Sequence, residues 1–174
     1  MIAAIGIDYG VRRVAIACPS QGWVEAYELK PGNDRGTELS YLQEMTDSTL
    51  EAKGVTAMPV FLESAIGGAA GNLQTLVGMG MTAGALAACF PGRVHLVAPS
   101  SWKALVCGSG RLDKAGVAAW LESTHPALAE ACRKSNGKLD QDRVDATCLG
   151  LCTVDGLAAR CSVPRSRARP VLRA

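Results

Sequence analysis

The chain has 174 residues, 18 lysines and arginines against 16 aspartates and glutamates, a formal net charge of +2, and 48% hydrophobic residues. That length suits one domain with a core of its own, and that hydrophobic content excludes a disordered chain. A charge this mild identifies no partner. The longest apolar stretch, 76–90, falls short of the ~18 residues of a membrane span and is rich in Gly and Ala.

Residues 2–8 and 12–18 read as two strands joined by a tight turn through Tyr9 and Gly10. "GWVEAYELK", 22–30, alternates and stops at Pro31-Gly32, which predicts a third strand and an antiparallel meander. Leu39, Leu42, Met45 and Leu50 then recur near helical spacing, with Gly54 as the stop. "AMPVFLES" predicts a short buried strand ending in Glu63, and a second helix runs from near 71 to about 90, closed by Pro91-Gly92. "RVHLVAP" is a fifth strand, which places His95 within a strand. After it come "SSWKALVCG", a polar glycine loop, and the helical pattern "DKAGVAAWLEST". A helix and polar loop over 126–138 follow, and a last helix starts at 140–142 and runs through "RVDATCLGLCTVDGLA". The order β-β-β-α-β-α-β-α-α-α, with no repeat or linker, predicts one α/β or mixed α+β domain.

Seven cysteines, an odd number with no signal peptide ahead of them, show no zinc-knuckle spacing. They read mostly as small buried apolar residues in a reducing cytoplasm. The last fifteen residues, "RCSVPRSRARPVLRA", carry five arginines and no acid. This tail is either a solvated extension or an arm that contacts phosphates.

Four acids stand out. Asp8 ends the first strand and Glu63 the fourth; Asp142 and Asp145, three apart at the start of the last helix, share a face. A sheet that sets strands one and four side by side brings Asp8 and Glu63 together, and a late helix across that edge adds the other two. Like carboxylates at such range raise one another's pKa. Mg²⁺ or Mn²⁺, hard cations that prefer oxygen, relieve the repulsion, and two such ions can hydrolyse a phosphodiester. Each acid also has an ordinary reading, as a turn former, an exposed strand end or a helix-start residue.

In four segments the sequence resembles the RuvC family of Holliday-junction resolvases, within the RNase H-like (retroviral integrase) superfamily. "IGIDYGVRRVAIA" resembles the first hairpin with its acid, and "VFLESAIGGAAGNLQTLVGMGMTAGAL" the strand-four acid and small-residue helix. "VAPSSWKALVCGSGRLDKAGV" resembles the family's proline, first lysine, glycine loop and second lysine, here Pro99, Lys103 and Lys114; "DRVDATCLGL" resembles the terminal acid pair. The resemblance implies an RNase H-like fold over 1–158, with a five-stranded mixed sheet, its first three strands antiparallel, flanked by helices. Residues 159–174 form the basic tail. It implies a homodimer, through the helix after Glu63 with its Gly78, Gly80, Ala83, Gly84 and Ala87, that cuts four-way DNA junctions. Asp8, Glu63, Asp142 and Asp145 would hold two Mg²⁺ or Mn²⁺ ions. Lys114 would stabilise the scissile phosphate, and Lys103, Arg111 and the tail arginines would hold the DNA backbone; Arg12 and Arg13 either touch DNA as well or decorate the hairpin turn.

The first hairpin also resembles the YqgF branch of the same fold, and the loop "SAIGGAAGN" lacks the aromatic residue that many resolvases set against a junction base. Two other readings therefore stay open: a non-cleaving junction-binding protein, and a same-fold nuclease for flaps or RNA-containing duplex, YqgF-type enzymes included.

Overall fold

A computed structural model of the chain describes residues 4–29, 34–64 and 73–161. Among these residues five strands form one sheet: β1 (Ile5–Tyr9), β2 (Arg13–Cys18), β3 (Trp23–Glu28), β4 (Val60–Glu63) and β5 (Val94–Val97), in the order β3-β2-β1-β4-β5. The first three are an antiparallel meander; β4 and β5 run parallel to β1. Among the described residues seven α-helices flank it: α1 (Arg35–Lys53), α2 (Leu73–Ala88), α3 (Pro99–Val106), α4 (Lys114–Thr124), α5 (Pro126–Ala131), α6 (Gln141–Gly150) and α7 (Val154–Cys161). Among the described residues no helix is long and apolar enough to cross a membrane.

Strand residues alternate between faces, and here the alternation is also one of size. Ile5, Ile7, Tyr9, Val14 and Ile16 enter the core shared with Leu42 and Leu50 of α1 and Leu86 of α2. The other face offers Ala4, Gly6, Ala15 and Ala17, and α6 lies on it with Val144, Ala146, Cys148 and Leu149. Small residues let that helix come close. A Cβ on Gly6 would stand 2.0 Å from the Ala146 carbonyl oxygen and 2.2 Å from the Gly150 nitrogen; one on Gly150 would stand 2.5 Å from Pro19 Cδ. Helix and strand therefore touch backbone to backbone.

Helix ends follow their sequence signals. Asp34 caps α1 by accepting from the Thr37 N–H at 3.1 Å, and Gly54 ends it in the left-handed region at φ 66°. Two expectations need correcting. Residues 99–106, which the sequence pattern left unassigned, are helical, because Pro99 fixes a helical φ at the first position, where no N–H is needed. The last helix is two: it breaks after Gly150, and Thr153 restarts it by accepting the Gly156 N–H at 3.1 Å. The six cysteines whose side chains are described are free, with Cys18, Cys132, Cys148 and Cys152 buried. His95 lies in β5 with its ring 5.4 Å from that of Phe61. The Pro31-Gly32 stop, the loop after Glu63 and most of the tail lie outside the described residues.

Gly6→Ala sets a methyl into the α6 backbone, which has no flexible end to yield. It should destabilise the protein by about 3 kcal/mol or more, read as a lower urea midpoint. Gly80→Ala, where a Cβ meets nothing within 4 Å, should leave stability intact or raise it.

Candidate active site

Asp8 is the fourth of the five residues of β1, and Glu63 is the last of β4. The parallel register pairs Ile7 with Leu62, so the next pair along is Asp8 and Glu63. Both follow the side-chain direction of Gly6 and Phe61, toward α6. Asp140 caps that helix by accepting the Asp142 N–H at 3.2 Å, and Asp142 and Asp145 follow in its first turns. The close seat of α6 on β1 thus delivers both helix acids to the strand pair.

The carboxylates feel one another. Burial pushes Asp8 well above its usual carboxylate range, and the charges of Asp145, Glu63 and Asp142 push the same way; Lys114 opposes them. Burial likewise raises Asp145, to about 6, against a side-chain hydrogen bond from Gln141 Nε2 at 2.9 Å. Glu63 is raised by burial, against a hydrogen bond from the Trp102 indole and the charges of Lys103 and Lys114. A site that charges itself against burial and repulsion lacks positive charge.

The basic residues divide. Lys114, the first residue of α4, is exposed, and its charge reaches Asp8, Glu63 and Asp145. Lys103 donates to the Leu112 carbonyl at 3.0 Å and lies 5.6 Å from the centre of the Trp102 ring. It therefore pins the glycine loop that leads into Lys114. Arg111 is exposed on that loop. Arg12 is exposed and 3.9 Å from Glu38 of α1. Arg13 turns inward: it donates to the Asp140 carboxylate, and its Nε lies 3.0 Å from Asp142 Oδ2.

Asp8, Glu63, Asp142 and Asp145 offer only hard carboxylate oxygens, the donor set that Mg²⁺ and Mn²⁺ prefer. Their mutual repulsion fits a cation among them. Among the described residues, no three His, Cys, Asp or Glu side chains converge on one point as they stand. As they stand, Asp142 pairs with Arg13, Glu63 accepts from Trp102 and Asp145 accepts from Gln141. Of these partners only Arg13 stood out in the sequence, as a DNA-facing cation; Trp102, Gln141 and Asp140 were not singled out as site residues. Asp140 is joined to Arg13 across 127 residues, a separation that no local pattern reports.

No family model matches the chain, and no curated protein matches it either. Solved structures do. The structure of RuvC from Thermus thermophilus superposes with a TM-score of 0.65 at 18% identity, covering 91% of this chain and 96% of that one. The same organism's RuvC in complex with a Holliday junction substrate gives 0.65 at 15% identity, covering 86% and 91%. At these identities the likeness establishes the fold: this chain has the RuvC-like form of the RNase H-like fold.

Folded Asp145 keeps its proton to about pH 6, whereas in the unfolded chain it loses it near its ordinary value of 3.8. Ionising it therefore costs stability as pH rises through that window. In EDTA, Asp145→Asn should match the parent protein near pH 4 and gain as pH rises. By pH 7 the gain should approach about 3 kcal/mol, on the order of 6–12 °C in Tm. Thermal melts from pH 4 to 8 read the difference, and a gap that stays constant with pH contradicts the assignment.

Proposed function

We propose that this protein is a metal-dependent endonuclease that hydrolyses phosphodiester bonds in branched DNA, four-way junctions above all, and works as a homodimer. The observation that supports the reading is that Glu63, Asp142 and Asp145 all lie close enough to the buried Asp8 for their charges to raise it, with the charge of Lys114 set against them. The solved complex of T. thermophilus RuvC with a Holliday junction substrate, on the same fold, supports branched DNA as the substrate class.

In this reading the four carboxylates hold two Mg²⁺ or Mn²⁺ ions. Bound there, the ions would supply an activated water and stabilise the leaving oxygen. The chain's own residues do the rest. Lys114, exposed beside the acids, neutralises charge on the scissile phosphate. Lys103 keeps the loop of Arg111 and Lys114 in place through the Leu112 carbonyl. Arg111 and Arg12, both exposed, are placed to meet the DNA backbone. Arg13 serves the fold, tying the start of β2 to the start of α6.

The dimer reading rests on α2. Leu73, Leu76, Val77 and Met81 are exposed there, Leu73 by 75% and Val77 by 53%. Gly80 and Gly84, a turn apart, have open space where a Cβ would stand, so a second helix could come close. A two-fold dimer offers two equivalent sites, which suits a junction with two equivalent strands to cut.

Asp8→Asn should abolish incision with either ion while junction binding persists. The measurement sets labelled four-way, three-way, flap and RNA–DNA hybrid substrates side by side in Mg²⁺ and in Mn²⁺. Preference for flaps or hybrids would reassign the substrate; tight binding with no incision would make the protein a junction binder. Arg111→Ala should lower the slope of log binding constant against log salt by about 1. Val77→Arg should turn a dimer into a monomer in sedimentation, and a parent protein that is itself monomeric would end the dimer reading.

A further inference from the structure

The indole of Trp102 donates its single N–H to Glu63 Oε2 at 2.7 Å. Trp102 is fully buried, 0% exposed, in the core that also holds Phe61, Val117, Leu121 and Leu149. An indole has one donor and no acceptor, and in a core that donor needs a partner. Here the partner is a carboxylate, so the bond is charge-assisted and short.

Packing on every side fixes the indole. A fixed indole places its N–H at one point, and that point fixes one oxygen of Glu63. Glu63 ends its strand and would otherwise have three side-chain torsions free to swing it away from Asp8. A carboxylate accepts at both oxygens, so the bond to Oε2 leaves Oε1 for another partner. A Trp buried for packing alone could satisfy its N–H on any backbone carbonyl; this one points at the member of the acid cluster that lies on the neighbouring strand.

We propose that Trp102 is the positioning residue of the site: it holds Glu63 oriented beside Asp8 and Asp145, so that the carboxylate is pre-set to take up a divalent cation. The proposal rests on the reading of the four acids as a metal site. Groups that hydrogen-bond a metal-binding carboxylate typically govern affinity by 10–100-fold.

Trp102→Phe keeps an aromatic ring in the core and removes the donor. In the absence of DNA, Mn²⁺ binding followed by electron paramagnetic resonance of the free ion should weaken about tenfold or more. Asp8→Asn in the same assay tests the site itself. A second readout uses the unmutated protein: with ¹⁵N-labelled tryptophan, Mg²⁺ should shift the Trp102 indole resonance and leave those of Trp23 and Trp120 in place. Trp102→Phe that binds Mn²⁺ within twofold of the parent, or a Trp102 resonance that saturating Mg²⁺ does not move, overturns the assignment. If Asp8→Asn binds Mn²⁺ as well as the parent, the metal-site reading fails and takes this proposal with it. If Trp102→Phe does not fold, the resonance decides alone.

Discussion

The arrangement depends on one contact, the seat of α6 on the bare backbone of β1. Gly6 and Gly150 carry no Cβ, and neither position has room for one. Interaxial spacing between packed elements is set by the side chains between them, so removing those side chains brings the elements together. The helix then presents Asp142 and Asp145 to a strand pair that already holds Asp8 and Glu63. Gly6, two residues before Asp8, serves that close approach, because the helix backbone fills the space a side chain would have taken.

Burying carboxylates near one another opposes folding: Asp8, Glu63 and Asp145 are each raised by burial, and Asp8 also by the charges of its three acidic neighbours. The fold answers with specific partners. Trp102 and Gln141 donate to Glu63 and Asp145, Arg13 faces Asp140 and Asp142, and Lys114 and Lys103 stand nearby. A charged group held by a directed bond keeps a defined orientation, at the cost of competing with any ion for the same oxygens. Position and negative charge are thus both built into the fold.

The second layer of the molecule follows a different logic. Glu38 of α1 is 5% exposed and receives Arg35 Nη1 at 2.9 Å, while Arg35 Nη2 donates to the Gly78 carbonyl and to Thr82 of α2. Breaking such a buried pair leaves a charge without a partner, so α2 is held in one place against α1. Its inner face uses Gly78 against Val11 and Leu86 in the core. Its outer face carries exposed apolar residues and two glycines with nothing against them. The small residues of this helix, alike in sequence, therefore serve two opposite surfaces.

Much of this was legible in the residues. The alternation of Ile5, Ile7 and Tyr9 with Gly6 and Asp8 declares a strand with one bulky and one small face, and the order of strands and helices leads to β1 beside β4. The acids at strand ends and at a helix start could be collected for one chemical reason, because repulsion among carboxylates has few remedies. Local rules failed where the cause lay outside the segment. Residues 99–106 look too short and mixed to be a helix until Pro99 and the burial of Trp102 are considered together. Arg13 reads as a surface cation on a hairpin, yet it is drawn inward by Asp140, 127 residues away. By itself the sequence determined the strand and helix order, the acids and the faces they lie on, since periodicity and capping act over a few residues. Only the tertiary structure decided which partner each charged side chain takes and how closely α6 approaches β1. Those choices depend on distance through space, and residues far apart in the chain set it.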